Sequence, residues 1–373
     1  MVAGADGLDD ILVYRPSNAQ VFSGITQSDG TLTIAGTSVA FGGSAWDVFT
    51  GDLNGDGIDD LIGRNRETGE WRSGITNADG TLTSNGSLGL MGPLLAGDQP
   101  LIGDLNGDTR VDLLVYRPGN GEWFSCITQS SGAFGIAFSG YLAWGSYQND
   151  GYVGDINGDG RIDLLLYSWG SGRWIVGYTG VGGVMSSGSA EVYGPFLEGA
   201  DIPMVDDISG DGKDDIVISR PNNAEWFSGI TTSAGAISFD TGSYLSDFGG
   251  ADQLYDPNTW DGKLGDVNGD GKADLVIRHR ESGEWRSGVT DANGAFTATG
   301  SSVFGWLLEG DIPLTGDVGA PAGLDNCGDL GTVYLTADFN KDCYVNFEDL
   351  AVLAGSWIWC TDPANSACDQ YWK

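Results

Sequence analysis

A nine-residue pattern recurs five times along the chain at nearly constant spacing. Its first complete copy reads Asp52-Leu-Asn-Gly-Asp-Gly-Ile-Asp-Asp60, and further copies occupy residues 104–112, 155–163, 207–215 and 266–274. Their starts are separated by 52, 51, 52 and 59 residues. A period of about 50 residues indicates a repeat architecture, in which each unit buries its apolar face against the next.

The sequence between these copies is typical of short β-strands. Each copy is followed by an apolar run such as Leu113–Tyr116, by a second motif such as Glu70–Thr76, and by a turn pair such as Asn293-Gly294. Asn-Gly and Asp-Gly between β-prone runs predict hairpins. About four strands per unit, with no helical periodicity before residue 347, predict an all-β fold, a β-propeller of four-stranded blades.

The second motif predicts the number of blades. It occurs six times and indicates six blades, with seven as the alternative; its copies end at Thr26, Thr76, Thr128, Thr179, Thr231 and Thr290. The chain begins inside a loop, at Asp6–Asp10, and leaves the last repeat at Asp311–Asp317, which resembles residues 98–104. We therefore expect the end of the propeller to supply the strand missing from the first blade, which removes the open sheet edge.

The nine-residue loops predict calcium sites. Oxygen-bearing side chains fall at positions 1, 3, 5 and 9, the main-chain carbonyl of position 7 is a fifth candidate ligand, and glycine at positions 4 and 6 permits the sharp turn. Calcium takes six to eight oxygen ligands, whereas magnesium prefers fewer carboxylates and more water. If these residues only marked turns, five copies at fixed internal spacing would be unexpected. The predicted ligands are Asp52, Asn54, Asp56, Ile58, Asp60, Asp104, Asn106, Asp108, Arg110, Asp112, Asp155, Asn157, Asp159, Arg161, Asp163, Asp207, Ser209, Asp211, Lys213, Asp215, Asp266, Asn268, Asp270, Lys272 and Asp274, with Asp6, Asp10 and Asp317 forming a composite first site.

Charge excludes several classes of partner. Acidic residues outnumber basic residues 52 to 17, which gives a formal net charge of −35. A polyanion of this kind repels phosphate backbones and anionic lipids, so nucleic acid and membrane surfaces are poor partners, and we expect no nucleic-acid binding and no membrane insertion. No apolar run approaches the ~18 residues needed to span a bilayer. The first residues do not have the pattern of a signal peptide, so we expect a cytosolic protein or a secreted one whose leader is not in this sequence.

Cysteine usage favours the secreted alternative. Four of the five cysteines lie in the last fifty residues, at Cys327, Cys343, Cys360 and Cys368. An even cluster in a short tail predicts disulfides and an oxidising compartment, with three possible connectivities. A zinc site is the alternative, but the cluster contains no CxxC pair. Cys126 lies apart, at a place where other repeats have glycine, and is expected to be an inert strand residue.

The tail, residues 319–373, is predicted to be a second module after a propeller spanning residues 1–318. It contains one EF-hand-like loop with Cys343 at the usual glycine position, followed by an apolar pattern over Phe347–Trp359 that predicts a helix. The loop's predicted calcium ligands are Asp338, Asn340, Asp342, Tyr344, Asn346 and Asp349. Together the propeller and the tail are expected to bind five to seven Ca²⁺ ions.

These motifs resemble known families. The loop pattern followed by Leu113–Trp123 looks like the bacterial FG-GAP/VCBS propeller repeats, over about residues 1–318, and the tail resembles dockerin-type modules. The first resemblance implies a secreted, calcium-stabilised propeller used in adhesion, in carbohydrate binding or as an accessory domain of an enzyme. The second implies attachment, although the tail has one loop where dockerins have two, so docking to a neighbouring subunit or a surface is as open as cohesin binding.

A tryptophan in nearly every repeat has two interpretations. Trp71, Trp123, Trp174, Trp226 and Trp285 occur once per unit and are explained as packing between blades. Alternatively, with Arg15, Arg117 and Arg220 they form sugar sites, because aromatic faces and guanidinium donors suit sugar rings and hydroxyls. Such sites would be multivalent.

Three function classes remain. The favoured one is a non-catalytic module for adhesion to a glycan or a surface protein. The second is a structural subunit of an extracellular filament or surface assembly, in which the tail docks on a neighbouring copy. The third is an accessory part of a polysaccharide-degrading enzyme. His279 is the only histidine, no nucleophile elbow or phosphate loop is present, and a longer segment around Gln253–Gly262 offers a possible binding loop.

Overall fold

The structure is a computed structural model. It describes residues 8–26, 32–39, 41, 45–77, 81–90, 94, 97–141, 149–169, 171–185, 190–193, 197, 201–220, 225–232, 237–244, 260–279, 284–291, 294, 296–303 and 311–316. Every regular element within these residues is a β-strand. Residues 1–320 form one compact unit, and residues 321–373 form a second unit that lies outside the described residues. The predicted domain boundary at residue 318 stays a prediction.

Twenty-four of the described strands form six four-stranded antiparallel sheets. The strands of the first three sheets are, in chain order, β1 (Asp10–Arg15), β2 (Gln20–Thr26) and β3 (Leu32–Val39); β4 (Trp46–Gly51), β5 (Asp60–Asn65), β6 (Glu70–Thr76) and β7 (Leu82–Leu90); β8 (Gln99–Gly103), β9 (Asp112–Arg117), β10 (Glu122–Thr128) and β11 (Phe134–Tyr141). The fourth sheet contains β12 (Asn149–Gly154), β13 (Asp163–Ser168), β14 (Arg173–Gly177) and β17 (Ala190–Tyr193), and a separate hairpin before β17 pairs β15 (Thr179–Gly180) with β16 (Val184–Met185). The remaining strands are β18 (Ile202–Asp206), β19 (Asp215–Arg220), β20 (Glu225–Thr231) and β21 (Ile237–Tyr244); β22 (Trp260–Gly265), β23 (Asp274–His279), β24 (Glu284–Thr290) and β25 (Phe296–Val303); and β26 (Ile312–Gly316).

The second strand of each sheet is apolar on both faces because the sheet is packed on both sides. In β9, Leu113 and Val115 pack with Trp71 of the preceding sheet, whereas Leu114 and Tyr116 pack with Leu166 of the following sheet. Successive side chains of a strand point to opposite faces, so one run of four apolar residues contributes to two cores. This explains why the apolar runs after the loops are continuous rather than alternating.

The last described strand completes the first sheet. β26 pairs antiparallel with β1, with Leu314 opposite Leu12 and Gly316 opposite Asp10. The expectation that the end of the propeller supplies the strand missing from the first unit is confirmed by this pairing. The six innermost strands β4, β8, β12, β18, β22 and β26 contact one another in cyclic order. The fold is therefore all-β and of the propeller type.

The longer fifth repeat differs in part from expectation. Trp260, Asp261 and Gly262, which we assigned to a possible binding loop, lie in β22 and pair with β23. Residues 251–259 lie outside the described residues. The predicted insertion therefore ends by residue 259, because the following residues pair within a sheet.

Candidate functional site

The five complete loops each connect the first strand of a sheet to its second strand. The backbone is left-handed at positions 4 and 6 of every loop; Gly55 and Gly57, for example, have φ of 80° and 83°. Glycine adopts this conformation without strain. Thr109 occupies position 6 of the second loop with φ of 71°, so this departure from glycine places a β-branched residue in an unfavourable region.

The carboxylate at position 1 folds each loop around itself. Asp52 Oδ1 accepts the Gly55 N–H at 2.6 Å, and Oδ2 accepts the Gly57 N–H at 2.8 Å. The first residues of the other four loops do the same with the main-chain N–H groups of positions 4 and 6, at 2.7–2.8 Å. The loop conformation is thus set by its own first side chain.

The carboxylate at position 9 is buried and ties the loop to the sheet. Asp60 is fully buried; its Oδ2 accepts the Leu53 N–H at 3.0 Å, and its Oδ1 accepts the Thr76 N–H at 2.8 Å. The Thr76 hydroxyl donates to the Asp59 carbonyl at 2.7 Å. The Asp–Thr N–H bond recurs in all six sheets, joining Asp10 to Thr26, Asp60 to Thr76, Asp112 to Thr128, Asp163 to Thr179, Asp215 to Thr231 and Asp274 to Thr290.

Negative charge accumulates around these buried groups. Burial raises the pKa of Asp60 to about 7, and the carboxylates of Asp56 and Asp52 add to the rise. The same cause raises the pKa of Asp112, Asp163 and Asp215 to about 7 and that of Asp274 to about 6. In every loop, at least one neighbouring carboxylate therefore adds to the burial that disfavours ionisation of the position-9 aspartate.

Position 7 distinguishes one loop from the other four. In the loop at residues 52–60 it is Ile58, which is buried, and Asp56 Oδ2 accepts a hydrogen bond from Asn54 Nδ2 at 3.0 Å. In the other loops it is a basic residue whose side chain pairs with the position-5 aspartate of the same loop. These ion pairs are Arg110–Asp108, Arg161–Asp159, Lys213–Asp211 and Lys272–Asp270.

Neighbouring loops are hydrogen-bonded to one another. The position-1 carbonyl of one loop accepts the position-8 N–H of the next; the Val111 N–H donates to the Asp52 carbonyl at 2.7 Å. The equivalent donors and acceptors are Ile162 and Asp104, Asp214 and Asp155, Ala273 and Asp207, and Asp9 and Asp266, at 2.7–2.8 Å. The loops thus form a belt across successive sheets.

Two position-8 aspartates strengthen this belt with a second bond. Asp214 Oδ2 accepts the Asp155 N–H at 2.7 Å, and Asp9 Oδ2 accepts the Asp266 N–H at 2.7 Å. Burial raises the pKa of Asp214 and of Asp9 to about 6. Where position 8 is alanine, at residue 273, Asp206 Oδ1 accepts the Asp207 N–H instead, at 2.9 Å.

The donor set of the loops suits a hard cation. Asn106 Oδ1 is a buried acceptor that has no hydrogen-bond partner in the structure. The oxygens at positions 1 and 9 accept main-chain N–H groups, but a carboxylate has about four lone-pair sites, so acceptor capacity remains. Within the described ranges, no three acidic, histidine or cysteine side chains already stand in a metal-holding cluster.

The arginines predicted as sugar contacts are engaged in the fold. Arg117 makes a two-point ion pair with Asp98, with both N–O distances 2.9 Å, and its guanidinium lies 5.0 Å from the centre of the Phe124 ring. Arg15 and Arg220 repeat this arrangement with Asp311 and Phe22, and with Asp201 and Phe227, respectively. Their donors and flat faces are thus used within the protein.

The repeated tryptophans lie in the core. Trp71, Trp123, Trp174 and Trp285 are 0%, 4%, 0% and 3% exposed. Trp71 stacks on Phe49 and meets Phe134 edge-on, and Trp174 packs with Tyr152 and Tyr167. Trp226 lies in β20, and its side chain is outside the described residues. Packing between sheets accounts for the four described rings, and a sugar has no access to their faces.

Several predicted residues lie outside the described part of the chain. They include Asp6, Asp317, the EF-hand-like tail loop and the four tail cysteines. His279 ends β23, and its side chain is likewise not described. Cys126 is buried in β10, and burial raises the pKa of its thiol to about 11, as expected for an inert strand residue. No helix that could span a membrane is found among the described residues.

No protein-family model and no curated protein sequence matches the chain. Among solved structures, a lectin of Agrocybe aegerita that recognises non-reducing terminal N-acetylglucosamine superposes with a TM-score of 0.55 at 17% identity, covering 78% of this chain and 75% of the lectin. A periplasmic gluconolactonase of Pseudomonas aeruginosa gives 0.49 at 13% identity, over 82% and 85% of the two chains. A Lactobacillus plantarum protein gives 0.47 at 16% identity, over 81% and 86%. The likeness to the lectin shows a shared propeller-like fold.

A matched pair of tryptophan variants tests the core assignment. Trp174→Ala removes a fully buried ring and should lower the free energy of unfolding by about 3–5 kcal/mol. Trp169→Ala, in the turn that follows β13, removes a ring that is 39% exposed and should cost about 1 kcal/mol, mainly its hydrogen bond to Asp150. Urea unfolding measures both values. Equal small losses would contradict a core role for Trp174.

A second variant tests the bonds between loops. Asp214→Ala leaves the Asp155 N–H without its acceptor and should lower the free energy of unfolding by about 1–3 kcal/mol. The measurement is made in excess chelator so that no metal contributes. Glu67→Ala, at an exposed turn, is the control and should change stability by about 0.5 kcal/mol or less. Equal free energies of unfolding for the two variants would contradict a stabilising role for the bonds between loops.

Proposed function

We propose that this chain is a secreted, six-bladed, calcium-stabilised propeller that acts as a non-catalytic glycan-binding module. The observation that carries the calcium part is the fivefold repetition of one loop with an all-oxygen donor set on a strongly acidic chain. Hard cations with flexible coordination are the ions such sets bind. The six sheets whose innermost strands contact in cyclic order support six blades.

In this proposal each Ca²⁺ is held by the side chains of positions 1, 3, 5 and 9 and by the position-7 carbonyl. The ion supplies positive charge to a loop that carries three carboxylates at positions 1, 5 and 9, and six ions would cancel 12 of the 35 net negative charges. Asn106 Oδ1 supports this role because a buried acceptor oxygen without a partner is unfavourable unless an ion or water meets it. The loop pattern also supports membership of the FG-GAP/VCBS repeats.

We further propose that the tail is a dockerin-like module in which the four cysteines form disulfides. Its support is the oxygen spacing of Asp338–Asp349 and the even number of cysteines around it. We propose that it attaches the propeller to a neighbouring protein or a surface. The same cysteines support secretion, because disulfides persist in oxidising compartments.

Glycan binding is supported by the fold shared with the Agrocybe aegerita lectin, which recognises non-reducing terminal N-acetylglucosamine. At 17% identity this likeness concerns the fold, so the ligand class is our proposal. The repeated tryptophans and the paired arginines are not proposed as sugar contacts, because the fold already uses them. The sugar contacts are sought instead in the loops and turns around the sheets, where propellers place variable residues.

Chelation tests the calcium proposal. Excess EGTA should lower the melting temperature by more than ~10 °C, because cations that bind the folded loops and not the unfolded chain stabilise the fold. The double variant Asp56→Ala, Asp60→Ala should remove one site without abolishing the fold. High NaCl should restore only part of the lost melting temperature. Salt screens the repulsion between carboxylates, but it does not replace a Ca²⁺ ion that the loop oxygens coordinate directly. An identical melt in EGTA and in calcium would overturn the proposal.

A glycan array tests the ligand proposal. The full chain in calcium should bind a restricted set of glycans, with non-reducing terminal N-acetylglucosamine as the first probe, and should lose binding in EGTA. Turnover is checked in parallel on the bound polysaccharides. If no glycan binds and microscopy shows polymers that form only with calcium, the lectin-like proposal is wrong. The protein would then be better described as a structural subunit of an assembly. Hydrolysis of a bound glycan would replace it by the enzymatic one.

A further inference from the structure

We propose that the residue at position 7 makes the loop at residues 52–60 bind Ca²⁺ more tightly than the other four loops. This inference rests on the proposed calcium binding and adds a ranking of the sites. The ranking follows from charges and contacts that differ among loops whose backbone is left-handed at the same two positions.

The loop at residues 52–60 has the most favourable charge for a cation. It contains four aspartates and no basic residue. The loops at residues 104–112, 155–163 and 266–274 contain three aspartates and one basic residue, and the loop at residues 207–215 contains four aspartates and one basic residue. The net charge is thus −4 in the first loop, −3 in the fourth and −2 in the other three.

The basic side chains are placed where they compete with a metal ion. Lys213 Nζ lies 2.9 Å from Asp211 Oδ2, and Lys272, Arg110 and Arg161 pair in the same way with their position-5 aspartates. These four basic side chains are only 16–23% exposed. A unit charge about 6 Å from a divalent ion weakens binding about tenfold even in water. Ile58 imposes no such repulsion within its own loop; Arg110 of the next loop packs its stem beside Gly55 but pairs its guanidinium with Asp108.

The aliphatic stems of the same side chains also pack against the neighbouring loop. A test of the charge must therefore leave this packing unchanged. A Cβ at Gly158 would lie 3.1 Å from Lys213 Cγ, and a Cβ at Gly55 would lie 3.5 Å from Arg110 Cγ. Each basic stem therefore lies on position 4 of the preceding loop. Lys272→Met keeps a stem of similar length and removes only the ammonium group, so it isolates the electrostatic effect.

The test titrates Ca²⁺ into the chelator-stripped full chain by isothermal titration calorimetry, with Tb³⁺ luminescence as a second readout. Three variants are compared with the unsubstituted protein. Ile58→Lys adds a charge to the tightest loop, Lys272→Met removes one from a weaker loop, and Glu67→Gln makes the same +1 change as Ile58→Lys at an exposed turn at the far end of β5. Any site in the tail is common to all four proteins and cancels in the comparison.

We expect Ile58→Lys to weaken one tight site about tenfold, Lys272→Met to tighten one weak site by a similar factor, and Glu67→Gln to change each affinity by less than about twofold. Equal affinities in all four proteins that do bind calcium would overturn the ranking and leave the calcium proposal standing. No binding heat and no Tb³⁺ emission in any protein would instead overturn the calcium proposal itself. If Ile58→Lys loses Ca²⁺ affinity and also melts at a lower temperature in EGTA, the substitution has damaged the fold. The ranking is then judged by Lys272→Met alone: higher Ca²⁺ affinity supports it, and unchanged affinity overturns it.

Discussion

The buried aspartate at the end of each loop is the interaction on which the rest of the structure depends. One carboxylate oxygen accepts a main-chain N–H from the end of the third strand, and in the complete loops the other accepts a hydrogen bond from within the loop, as Asp112 does with Thr128 and Leu105. An ionised group in this position is costly unless such bonds compensate its lost hydration. Burial raises the pKa of Asp112 to about 7 in spite of these bonds. A nearby cation would supply further compensation, which links the fold to the proposed calcium binding.

The loops are coupled to one another as well as to their own sheets. Main-chain bonds join position 1 of one loop to position 8 of the next, and Asp214 and Asp9 add a side-chain bond to the same neighbour. The opposite ends of three sheets are held by arginine–aspartate pairs such as Arg117–Asp98, stacked on phenylalanine. Hydrogen bonds between loops at one end of these sheets, and ion pairs at the other end, thus lie on either side of the apolar clusters. The arginines that the sequence offered as candidate sugar contacts donate to these aspartates, so fewer of their N–H groups remain for a ligand.

The sequence predicted the features that recur in every repeat, but it did not predict contacts between residues that are far apart in the chain. Loop spacing, glycine positions and continuous apolar runs indicated the all-β fold, and the resemblance of residues 311–317 to residues 98–104 anticipated the pairing of β26 with β1. Whether a repeated tryptophan faces a core or a sugar could not be predicted, because a period of one per unit does not reveal which face of a twisted sheet is covered. The bond between Arg15 and Asp311 joins residues 296 positions apart and exists only after closure. The constant 16-residue spacing from Asp60 to Thr76, and in every other repeat, was visible in the sequence and could have revealed the Asp–Thr bond.

The central claim is that the loops hold metal ions in fixed number rather than merely forming turns. Native mass spectrometry of the full chain in ammonium acetate, with a small excess of Ca²⁺ and then with the same concentration of Mg²⁺, counts the ions directly. The account predicts a discrete calcium-bound species with at least five ions and far lower occupancy in Mg²⁺, because the loops offer many carboxylates to a large cation. A smooth distribution of adducts, alike for both ions and centred on the metal-free mass, would contradict it.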